Sequence, residues 1–370
     1  MNFSFDEGME YSTNIKVVGV GGAGGNAVNR MIQSDMKGVE FIAMNTDSQI
    51  LQYNKATFKL QLGGKITKGS GAGGIPERGQ RAAEESRDDI VTALKGTDMA
   101  FITAGMGGGT GTGASPVIAS IAKELGILTV AIVTKPFTWE GKRKMETSEI
   151  GIANLREHVD AIVVIPNSRL KLISEKPITL VNAFELADNI LKQGVQSVSD
   201  LINHPGFINL DFADISSIMK DAGYAHMGVG YATGSNKAEE AALKAISSPL
   251  LETTINGAKG VIINFTLAPT VDLNDIEKAA SMMTDAVHPD ANIIWGTAYN
   301  EAMTDDEIQI TVIATGFDSV YNSGENSKDF FPNITSYDSK KSASSSSSDA
   351  DWFNDEIFDL LKKNYPDNNY

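Results

Sequence analysis

Between Asn14 and Pro166 the chain alternates short, β-branched apolar runs with segments that have helical spacing. Continuous apolar runs are typical of strands buried on both faces, and such strands occur in parallel sheets that helices cover on both sides. We therefore expect an α/β fold with a doubly wound parallel sheet in this part of the chain. The expected strands are 15–20, 41–45, 99–104, 129–134 and 161–166, and the expected helices include 76–95 and 115–125.

The segment 177–203 predicts one long helix, because its apolar residues recur at three- and four-residue steps. A helix of this length spans roughly 35–40 Å at 1.5 Å per residue, which is the width of a small domain. Four strands and two helices are expected after it, and together they predict a second, smaller α/β domain. The strands are 228–233, 260–267, 291–297 and 308–315, and the helices are 237–246 and 273–286.

Composition changes sharply after Gly316. Residues 318–350 are rich in Ser, Asn and Asp and have too little apolar surface to fold, so we expect a disordered linker. Residues 351–370 regain aromatic and aliphatic side chains, which predicts a C-terminal peptide that folds on a partner. The expected organisation is a flexible N-terminal segment (1–13), a first domain (14–176), the central helix (177–203), a second domain (204–317), the linker and the peptide.

The formal net charge of the chain is −16, and it contains no cysteine. The charge argues against binding to nucleic acid or to anionic lipid, because both need basic residues. The absence of cysteine excludes disulfides and thiolate zinc sites and is consistent with a reducing cytosol. No run approaches the roughly 18 apolar residues of a membrane span, and the N-terminus lacks the pattern of a secretory signal. We expect a soluble intracellular protein without direct membrane insertion.

The stretch 17–30 reads VVGVGGAGGNAVNR and contains a formal G-x-G-x-x-G at Gly19, Gly21 and Gly24. It lies between an expected strand and a helix-like segment, and a second expected strand leads to Asp47. These neighbours satisfy the Rossmann pattern for a dinucleotide. A single glycine fingerprint is equally compatible with another phosphate ligand, so this stretch alone leaves both sites open.

A second glycine cluster, GMGGGTGTG at residues 105–113, also lies between an expected strand and an expected helix. Glycines let backbone N–H groups approach an anion, and a helix N-terminus favours negative charge. The hydroxyls of Thr110 and Thr112 can add donors.

A third cluster, GSGAGG at residues 69–74, lies on the loop after residues 60–62. Three glycine loops at one sheet edge can surround a triphosphate, whereas a dinucleotide needs only the first; the P-loop pattern G-x-x-x-x-G-K-[ST] does not occur.

Four motifs together resemble the FtsZ family, the bacterial relatives of tubulin. They are MNTD at 44–47, GAGG at 71–74, GGGTGTG at 107–113 and NLDFAD at 209–214, and the resemblance extends from Asn14 to Phe317. It implies a GTPase whose first domain binds GTP or GDP with Mg²⁺ and whose copies polymerise head to tail. It also implies a place in the division ring, in the cytoplasm beneath the membrane at mid-cell.

The resemblance implies roles for particular residues of the nucleotide site. Glu140 resembles the acid that contacts the ribose, Asn167 an asparagine near the base, and Phe184 an aromatic ring that stacks on guanine. Asp188 resembles the carboxylate that accepts from guanine N1–H and the exocyclic amine, and adenine has no N1–H to offer. The full set is Gly21, Gly22, Ala23, Gly24, Gly25, Asn26, Asn45, Asp47, Gly71, Ala72, Gly73, Gly74, Gly107, Gly108, Gly109, Thr110, Gly111, Thr112, Gly113, Pro136, Glu140, Arg143, Lys144, Asn167, Phe184 and Asp188.

One position departs from the family pattern. The family usually has arginine four residues after the acid that Glu140 resembles, and here Lys144 stands there with Arg143 beside it. Lysine supplies positive charge but not the bidentate fork of arginine. The sequence leaves open which of the two residues takes that role.

Asn209, Asp211 and Asp214 are polar groups in an otherwise apolar segment just after the long helix. Taken alone, they are typical of turns and helix caps. The base site is expected near the start of that helix and these residues beyond its end, so one chain cannot bring both to one phosphate. A second copy stacked head to tail can, and such a contact builds a filament. The carboxylates would then polarise the attacking water while Mg²⁺ and backbone amides stabilise the transferred phosphoryl group.

Three function classes follow. The leading one is a GTPase activated by its own assembly; the second is a filament or regulatory protein that binds GTP but barely hydrolyses it; the third is an NAD-dependent oxidoreductase. The four histidines are scattered without metal-ligand spacing, so no metal ligands are expected among them. The resemblance further implies that membrane-tethering adaptors and regulatory division proteins bind the C-terminal peptide, although this peptide lacks the family's proline-containing core and basic end.

Overall fold

The computed structural model describes residues 13–173, 178–203, 210–251, 255, 257–268, 271–300, 303–304 and 306–317. Several sequence predictions fall outside these residues. They are the N-terminal segment up to residue 12, the start of the long helix at residue 177, Asn209, the linker 318–350 and the peptide 351–370. Among the residues described, no helix is both long enough and apolar enough to cross a membrane.

The described part of the chain forms ten strands and eleven α-helices. The strands are β1 (Ile15–Val20), β2 (Glu40–Asn45), β3 (Phe58–Gln61), β4 (Met99–Gly105), β5 (Leu128–Lys135), β6 (Ala161–Pro166), β7 (Gly223–Thr233), β8 (Gly260–Leu267), β9 (Asn292–Tyr299) and β10 (Glu307–Thr315). The helices are α1 (Gly21–Gln33), α2 (Ser48–Tyr53), α3 (Gly64–Thr67), α4 (Pro76–Glu85), α5 (Arg87–Leu94), α6 (Thr110–Glu124), α7 (Lys142–Arg156), α8 (Leu180–Asn203), α9 (Phe212–Met219), α10 (Lys237–Ile246) and α11 (Leu273–Asp285), with 3-10 helices at Thr138–Glu140 and Asn167–Leu172.

The strands form one continuous sheet in the order β3-β2-β1-β4-β5-β6-β7-β10-β8-β9. Strands β1 to β6 pair only in parallel, which confirms the doubly wound parallel sheet expected from their apolar runs. β7 continues this sheet in parallel with β6 over Gly223 to Ala225 and then pairs antiparallel with β10. β8 is antiparallel to β10 and parallel to β9. The second α/β part is therefore built on a mixed sheet.

The strand order has a topological switch point between β1 and β4. β2 and β3 lie on one side of β1, whereas β4, β5 and β6 lie on the other. The loops that leave the carboxyl ends of β1 and β4 therefore diverge and open a crevice, the usual place for a ligand in an open α/β sheet. Both connections are glycine-rich, because α1 begins at Gly21 directly after β1 and residues 106–109 join β4 to α6.

Three hydrophobic cores stabilise the sheet. Successive strand residues point to opposite faces, so Val17 and Val18 of β1 belong to different cores. The N-terminal core lies on the Val18 face, and all its buried members fall between Val18 and Val164. The central core lies on the Val17 face and combines strands of the parallel sheet with α8, α9 and residues of β8 and β10. The C-terminal core lies between β7 to β10 and the helices α10 and α11.

Two expected helix boundaries are wrong, and tertiary contacts explain both. The predicted helix 76–95 is two helices, α4 and α5, separated at Ser86, whose hydroxyl accepts a hydrogen bond from the Gly63 N–H at 3.0 Å. The helix expected from Ser115 begins five residues earlier, at Thr110. A Cβ at Gly113 would lie 1.9 Å from the Pro76 carbonyl oxygen, so the glycines form helix here to pack directly on α4.

Candidate functional site

A cleft of about 270 Å³ lies at the carboxyl ends of β1, β4, β5 and β6, beside the first turns of α8. It collects residues from both sides of the switch point. The predicted site residues that line it are Gly22, Ala23, Gly107, Gly108, Gly109, Thr110, Gly111, Pro136, Glu140, Lys144, Asn167, Phe184 and Asp188. Their contact with a nucleotide stays a prediction, but the fold brings these distant segments together around one opening.

The first glycine cluster divides its members between lining and packing. Gly22 lines the cleft, and a Cβ on it would meet open space. A Cβ on Gly24 would lie 2.2 Å from the Thr103 carbonyl oxygen, so this glycine lets α1 pack against β4. Gly21 takes a positive φ of +73°, which turns the chain directly from β1 into α1. Gly21, Gly24, Gly25 and Asn26 are outside the lining; the three glycines pack closely against neighbouring segments, whereas Asn26 is exposed.

The second glycine cluster presents the N-terminus of α6 to the cleft. Gly107 has a φ of +99°, and its N–H donates to the Thr112 hydroxyl at 2.9 Å. Thr112 is buried, and this hydrogen bond links two residues of the same loop. Thr112 does not line the cleft, so the hydroxyl donor expected from it does not reach the cleft. Thr110 does line the cleft, and its hydroxyl lies 2.6 Å from that of Thr46. Backbone N–H groups and the helix dipole make this loop suited to a phosphate.

The third glycine cluster rests on the second. A Cβ on Gly109 would lie 2.8 Å from both the Ala72 Cβ and the Ile75 backbone N, so loop 71–74 and loop 107–113 touch through their backbones. The Gly71 N–H also donates to the Thr46 carbonyl oxygen at 3.2 Å. Residues 71–74 lie beyond the lining of the cleft, as do Asn45 and Asp47.

Asn45 and Asp47 shape the turn after β2. The Asp47 N–H donates to the Asn45 side-chain oxygen at 3.1 Å, and the Asp47 carboxylate caps α2 by accepting from the N–H groups of Gln49 and Ile50. Turn formation and helix capping therefore account for the contacts of these two polar residues in this structure. Thr46 between them is fully buried and forms hydrogen bonds with Thr110 of loop 107–113 and Gly71 of loop 71–74.

Glu140 and Lys144 occupy the cleft together. The Glu140 carboxylate accepts from the Phe137 N–H at 2.8 Å and from the Lys144 ammonium at 3.1 Å. Arg143 points to a separate groove of about 530 Å³ between α4, α6 and α7. That groove is larger than the cleft, but fewer of the predicted site residues line it. From the predicted glycine loops, the groove contacts Gly74, Thr112 and Gly113. The question that the sequence leaves open is thus answered for position: Lys144, not Arg143, is at the cleft.

The end of the cleft beside α8, where the resemblance predicts the guanine base, contains polar groups in partly buried positions; we call it the base end. Burial raises the pKa of Asp188 to about 6. The positive charge of Arg30 opposes this rise, and the negative charge of Glu185 adds to it. The Asn167 side-chain oxygen is buried and has no hydrogen-bond partner among the described residues. A buried acceptor without a partner is costly, so its position at a cleft points to a ligand donor. Phe184 is 44% exposed, which rules out the core position that its helical spacing allows.

Several lining residues are absent from the predicted set of site residues. They are Val20, Gly105, Met106, Thr134, Ala187 and Leu191. Thr134 had a usable signal, because it is a polar residue near the carboxyl end of an apolar strand, where ligands bind in such sheets. Ala187 and Leu191 continue the apolar spacing of α8, and that spacing alone cannot distinguish a cleft wall from a core.

Asp211 and Asp214 are far from the cleft. The Asp214 N–H donates to Asp211 at 2.8 Å, and the Asp211 N–H donates to Asp214 at 3.4 Å, so the pair caps α9. Both residues are exposed. α8 ends at Asn203, whose amide donates to Gly38 just before β2, and α9 leads into β7, whose Gly223 pairs with Ala161 at the start of β6. Both contacts lie at the amino ends of the strands, the edge opposite the cleft.

Comparison with known proteins decides the family. Residues 14–175 match the model described as Tubulin/FtsZ family, GTPase domain, and residues 223–318 match FtsZ family, C-terminal domain. An empty FtsZ dimer from M. jannaschii is 40% identical, with a TM-score of 0.81 over 84% of this chain and 90% of that one. The chain belongs to the FtsZ family.

As an FtsZ-family GTPase, the chain binds GTP and GDP and hydrolyses GTP. Family membership therefore excludes the third class considered above, the NAD-dependent oxidoreductase. The GTPγS-bound protofilament of CetZ2 from Haloferax volcanii has a TM-score of 0.69 over 84% of this chain and 96% of that chain, but only 18% identity. That second likeness shows the shared FtsZ fold alone.

Proposed function

We propose that this chain is a cell-division protein that assembles head to tail into protofilaments and hydrolyses GTP at the contact between two copies. The observation that carries this proposal is the opposite location of its two functional groups. The glycine loops, Phe184 and Asp188 surround a cleft at the carboxyl edge of the sheet, whereas Asp211 and Asp214 are exposed at the amino edge. From Asp188 to its end at Asn203, α8 extends for a further 15 residues, which correspond to roughly 22 Å.

A contact between unlike surfaces joins these two groups. If the amino edge of one copy covers the cleft of the next, the acid pair meets the nucleotide. The resulting pair of copies still offers one free cleft at one end and one free acid pair at the other. Such a heterologous contact does not close on itself and produces a filament. The related FtsZ of M. jannaschii is a dimer by its description, and the CetZ2 structure is a protofilament. Both descriptions support self-association.

Within one chain, the cleft supplies binding and charge stabilisation. Asp188 in its ionised form accepts from the two guanine donors, Phe184 offers a ring for stacking, and Lys144 adds positive charge beside Glu140. The backbone N–H groups at Gly108 and Gly109 and the N-terminus of α6 face the phosphates. Asp211 and Asp214 of the second copy orient the attacking water and accept its proton, which is the general-base role of a carboxylate.

Mg²⁺ fits this arrangement as an ion bound mainly by the nucleotide. Among the described residues, no three His, Asp or Glu side chains lie close enough together to hold a metal ion. Mg²⁺ commonly takes one or two protein oxygens and completes its shell with phosphates and water. The Thr110 hydroxyl and the Asp47 carboxylate are the hard oxygen donors near loops 107–113 and 71–74. Bound there, the ion would neutralise phosphate charge.

The cellular part of the proposal rests on family membership. FtsZ-family membership favours a role in septation, within a cytoplasmic division ring at mid-cell beneath the membrane. Residues 14–176 would form the GTP-binding domain and 204–317 the second domain, joined by the helix 177–203. The peptide 351–370 would bind a membrane-tethering adaptor and regulatory division proteins, since its aromatic and aliphatic residues follow a serine-rich spacer.

Phosphate release from GTP, measured against protein concentration, tests the proposal. A threshold concentration followed by a steep rise is expected, because the active site forms only when two copies meet. Light scattering in the same samples should rise at the same threshold. Activity strictly proportional to concentration, with no threshold, would contradict hydrolysis between copies; flat, minimal release alongside filaments would favour the second class, a filament protein that barely hydrolyses GTP.

A further inference from the structure

Three aromatic rings meet at the base end of the cleft. Phe137 and Trp139 are stacked with their centroids 5.4 Å apart and their planes 16° apart. Phe184 of α8 is nearly perpendicular to both, at 5.5 Å and 90° from Phe137 and at 6.1 Å and 81° from Trp139. Perpendicular and offset-stacked rings at these separations attract each other beyond their buried area. The three side chains thus form one aromatic cluster, which we call the base-side cluster.

Exposure argues that the base-side cluster is more than core packing. Phe137 is buried, but Trp139 is 60% exposed and Phe184 is 44% exposed. Two large, half-open aromatic rings in contact beside a cleft mark a binding surface more often than a structural one. Phe184 lines the cleft, whereas Trp139 stands behind it and contacts its ring.

The backbone around Trp139 is held firmly. The residues Thr138–Glu140 form a 3-10 turn in which the Glu140 N–H donates to the Phe137 carbonyl oxygen at 3.0 Å. The Glu140 carboxylate closes the same turn by accepting from the Phe137 N–H, and Lys144 holds that carboxylate from α7. The turn therefore fixes where Trp139 meets Phe184, and Lys144 acts on the base end of the cleft through Glu140.

We propose that Trp139 is a positioning residue for the nucleotide base: with Phe137, it fixes the plane of the Phe184 ring on which guanine stacks. Turning the Phe184 ring would break two perpendicular contacts at once, so the ring is held in one orientation before the base arrives. Preorganisation of this kind raises affinity because less side-chain freedom is lost on binding. The inference rests on the proposed stacking of guanine on Phe184.

A double-mutant cycle on GDP binding tests this role below the concentration at which the chain assembles. Trp139→Ala should weaken GDP binding by about three- to tenfold, the effect of losing one aromatic pair. GTP should weaken by the same factor, because the base end does not contact the γ-phosphate. Trp139→Phe should restore most of the affinity. Trp295→Ala is the matched control, because Trp295 makes a similar perpendicular contact with Phe265, 6.4 Å away, outside the cleft.

The cycle is completed with Phe184→Ala alone and in combination. If Trp139 acts through Phe184, Trp139→Ala should have no further effect in the Phe184→Ala background. Equal losses in both backgrounds, or wild-type GDP binding by a folded Trp139→Ala variant, would overturn the inference while leaving the proposed base site intact. Unchanged binding by Phe184→Ala would overturn both the proposed stacking and the inference.

Fluorescence gives a second readout that a purely structural role would not move. The chain has three tryptophans, and replacing Trp295 and Trp352 by Phe leaves Trp139 as the only one. GDP should then change the Trp139 emission at concentrations where no filament forms, and Phe184→Leu should abolish the change. An emission that ignores GDP, or that responds equally without the Phe184 ring, would contradict the proposed contact.

Discussion

The two edges of the sheet hold their carboxylates in opposite ways. At the carboxyl edge, Asp188 is partly buried, and burial raises its pKa to about 6. At the amino edge, Asp211 and Asp214 are exposed and bond to each other's backbone N–H groups. The first carboxylate is held at a free-energy cost inside a formed cleft, whereas the second pair is solvated and caps a helix.

This difference indicates what each edge can do alone. A strained, desolvated group in a cleft is typical of a ligand site that one chain completes by itself. A solvated acid pair without a cleft becomes effective only when another surface excludes water around it. Binding should therefore depend on the carboxyl edge within a single chain, and hydrolysis on the amino edge of a second one. The predictions below separate these two dependencies.

The largest effect is expected at the amino edge. Asp211→Asn or Asp214→Asn should lower GTP hydrolysis by about a hundredfold or more, as expected for loss of a general base. GTP affinity should stay unchanged, because neither residue lies at the cleft of its own chain. Asparagine still caps a helix well, so α9 should remain folded. Phosphate release and equilibrium GTP binding measure the two quantities.

Asp272→Asn is the matched control, since Asp272 caps α11 by accepting from the Asn274 N–H at 3.0 Å. Mixing Asp211→Asn with Gly107→Ala sharpens the result, because a Cβ at Gly107 would lie 2.8 Å from the Lys144 carbonyl oxygen. In an equal mixture, about a quarter of the contacts pair an intact cleft with an intact acid pair, so part of the activity should return. A mixture as inactive as its components would break the comparison between the edges.

The next effect is expected at the carboxyl edge. Asp188→Asn should weaken GTP binding by about 1–3 kcal/mol, because the amide places a donor group where guanine also donates. ATP binding should change little, so discrimination between the two nucleotides should fall. Titration calorimetry with both nucleotides measures this. Glu185→Gln on the same helix is the control at pH 8, where Asp188 is ionised with or without the Glu185 charge; Glu185 is exposed and pairs with Arg30 at 3.4 Å. Unchanged discrimination would remove Asp188 from the base site.

The pH dependence of binding follows from the raised pKa of Asp188, about 6. Below that value the free protein holds a neutral carboxyl, which has lost part of its acceptor capacity, so GDP affinity should fall with falling pH. The expected slope is up to about tenfold per pH unit for one proton. Phosphate protonation affects wild type and Asp188→Asn alike. The difference in GDP-binding free energy between wild type and Asp188→Asn should therefore be constant above about pH 7 and should shrink below pH 6.

The smallest effect concerns stability without nucleotide. The folded chain holds the Asp188 proton more tightly than the unfolded chain, whose carboxyl has a pKa near 3.8. Wild-type stability should therefore fall as pH rises from about 4 to 6. Asp188→Asn removes that cost, so its free energy of unfolding at pH 7.5 should be about 1 kcal/mol higher than that of the wild type. Urea unfolding at pH 7.5 and pH 4 checks this, and a gain that persists undiminished at pH 4 would assign it to another cause.

Most strands and buried helices were predictable from this sequence, but β3 and residues 223–227 of β7 were not among those expected. The expected bounds of β1, β6, β8 and α10 agree with the structure, because continuous apolar runs and regular spacing determine them locally. The break at Ser86 was not predictable, since it depends on a hydrogen bond from Gly63, 23 residues away. The early start of α6 escaped prediction for a similar reason: glycine and threonine are poor helix formers, and only the contact with α4 makes them helical.

The site was predictable as a set of motifs but not as a geometry. The family resemblance predicts that residues 21 to 25 contact a phosphate, yet the sequence cannot tell that Gly22 faces the cleft and Gly24 the Thr103 carbonyl. The choice between Lys144 and Arg143 depends on the rotation of α7, which neighbouring helices set. Trp139 has no periodic signal at all, because its position comes from a short turn held by Glu140.

The division of the cores has a consequence for the chain as it is synthesised. Every buried member of the N-terminal core lies between Val18 and Val164, so this face can close as soon as β6 has emerged. The central core needs α8 and later residues up to Ile313, so Val17, Phe101 and Ile132 have no complete cover until those segments arrive. Synthesis adds about 5–20 residues per second, which leaves that apolar face open to other chains for several seconds.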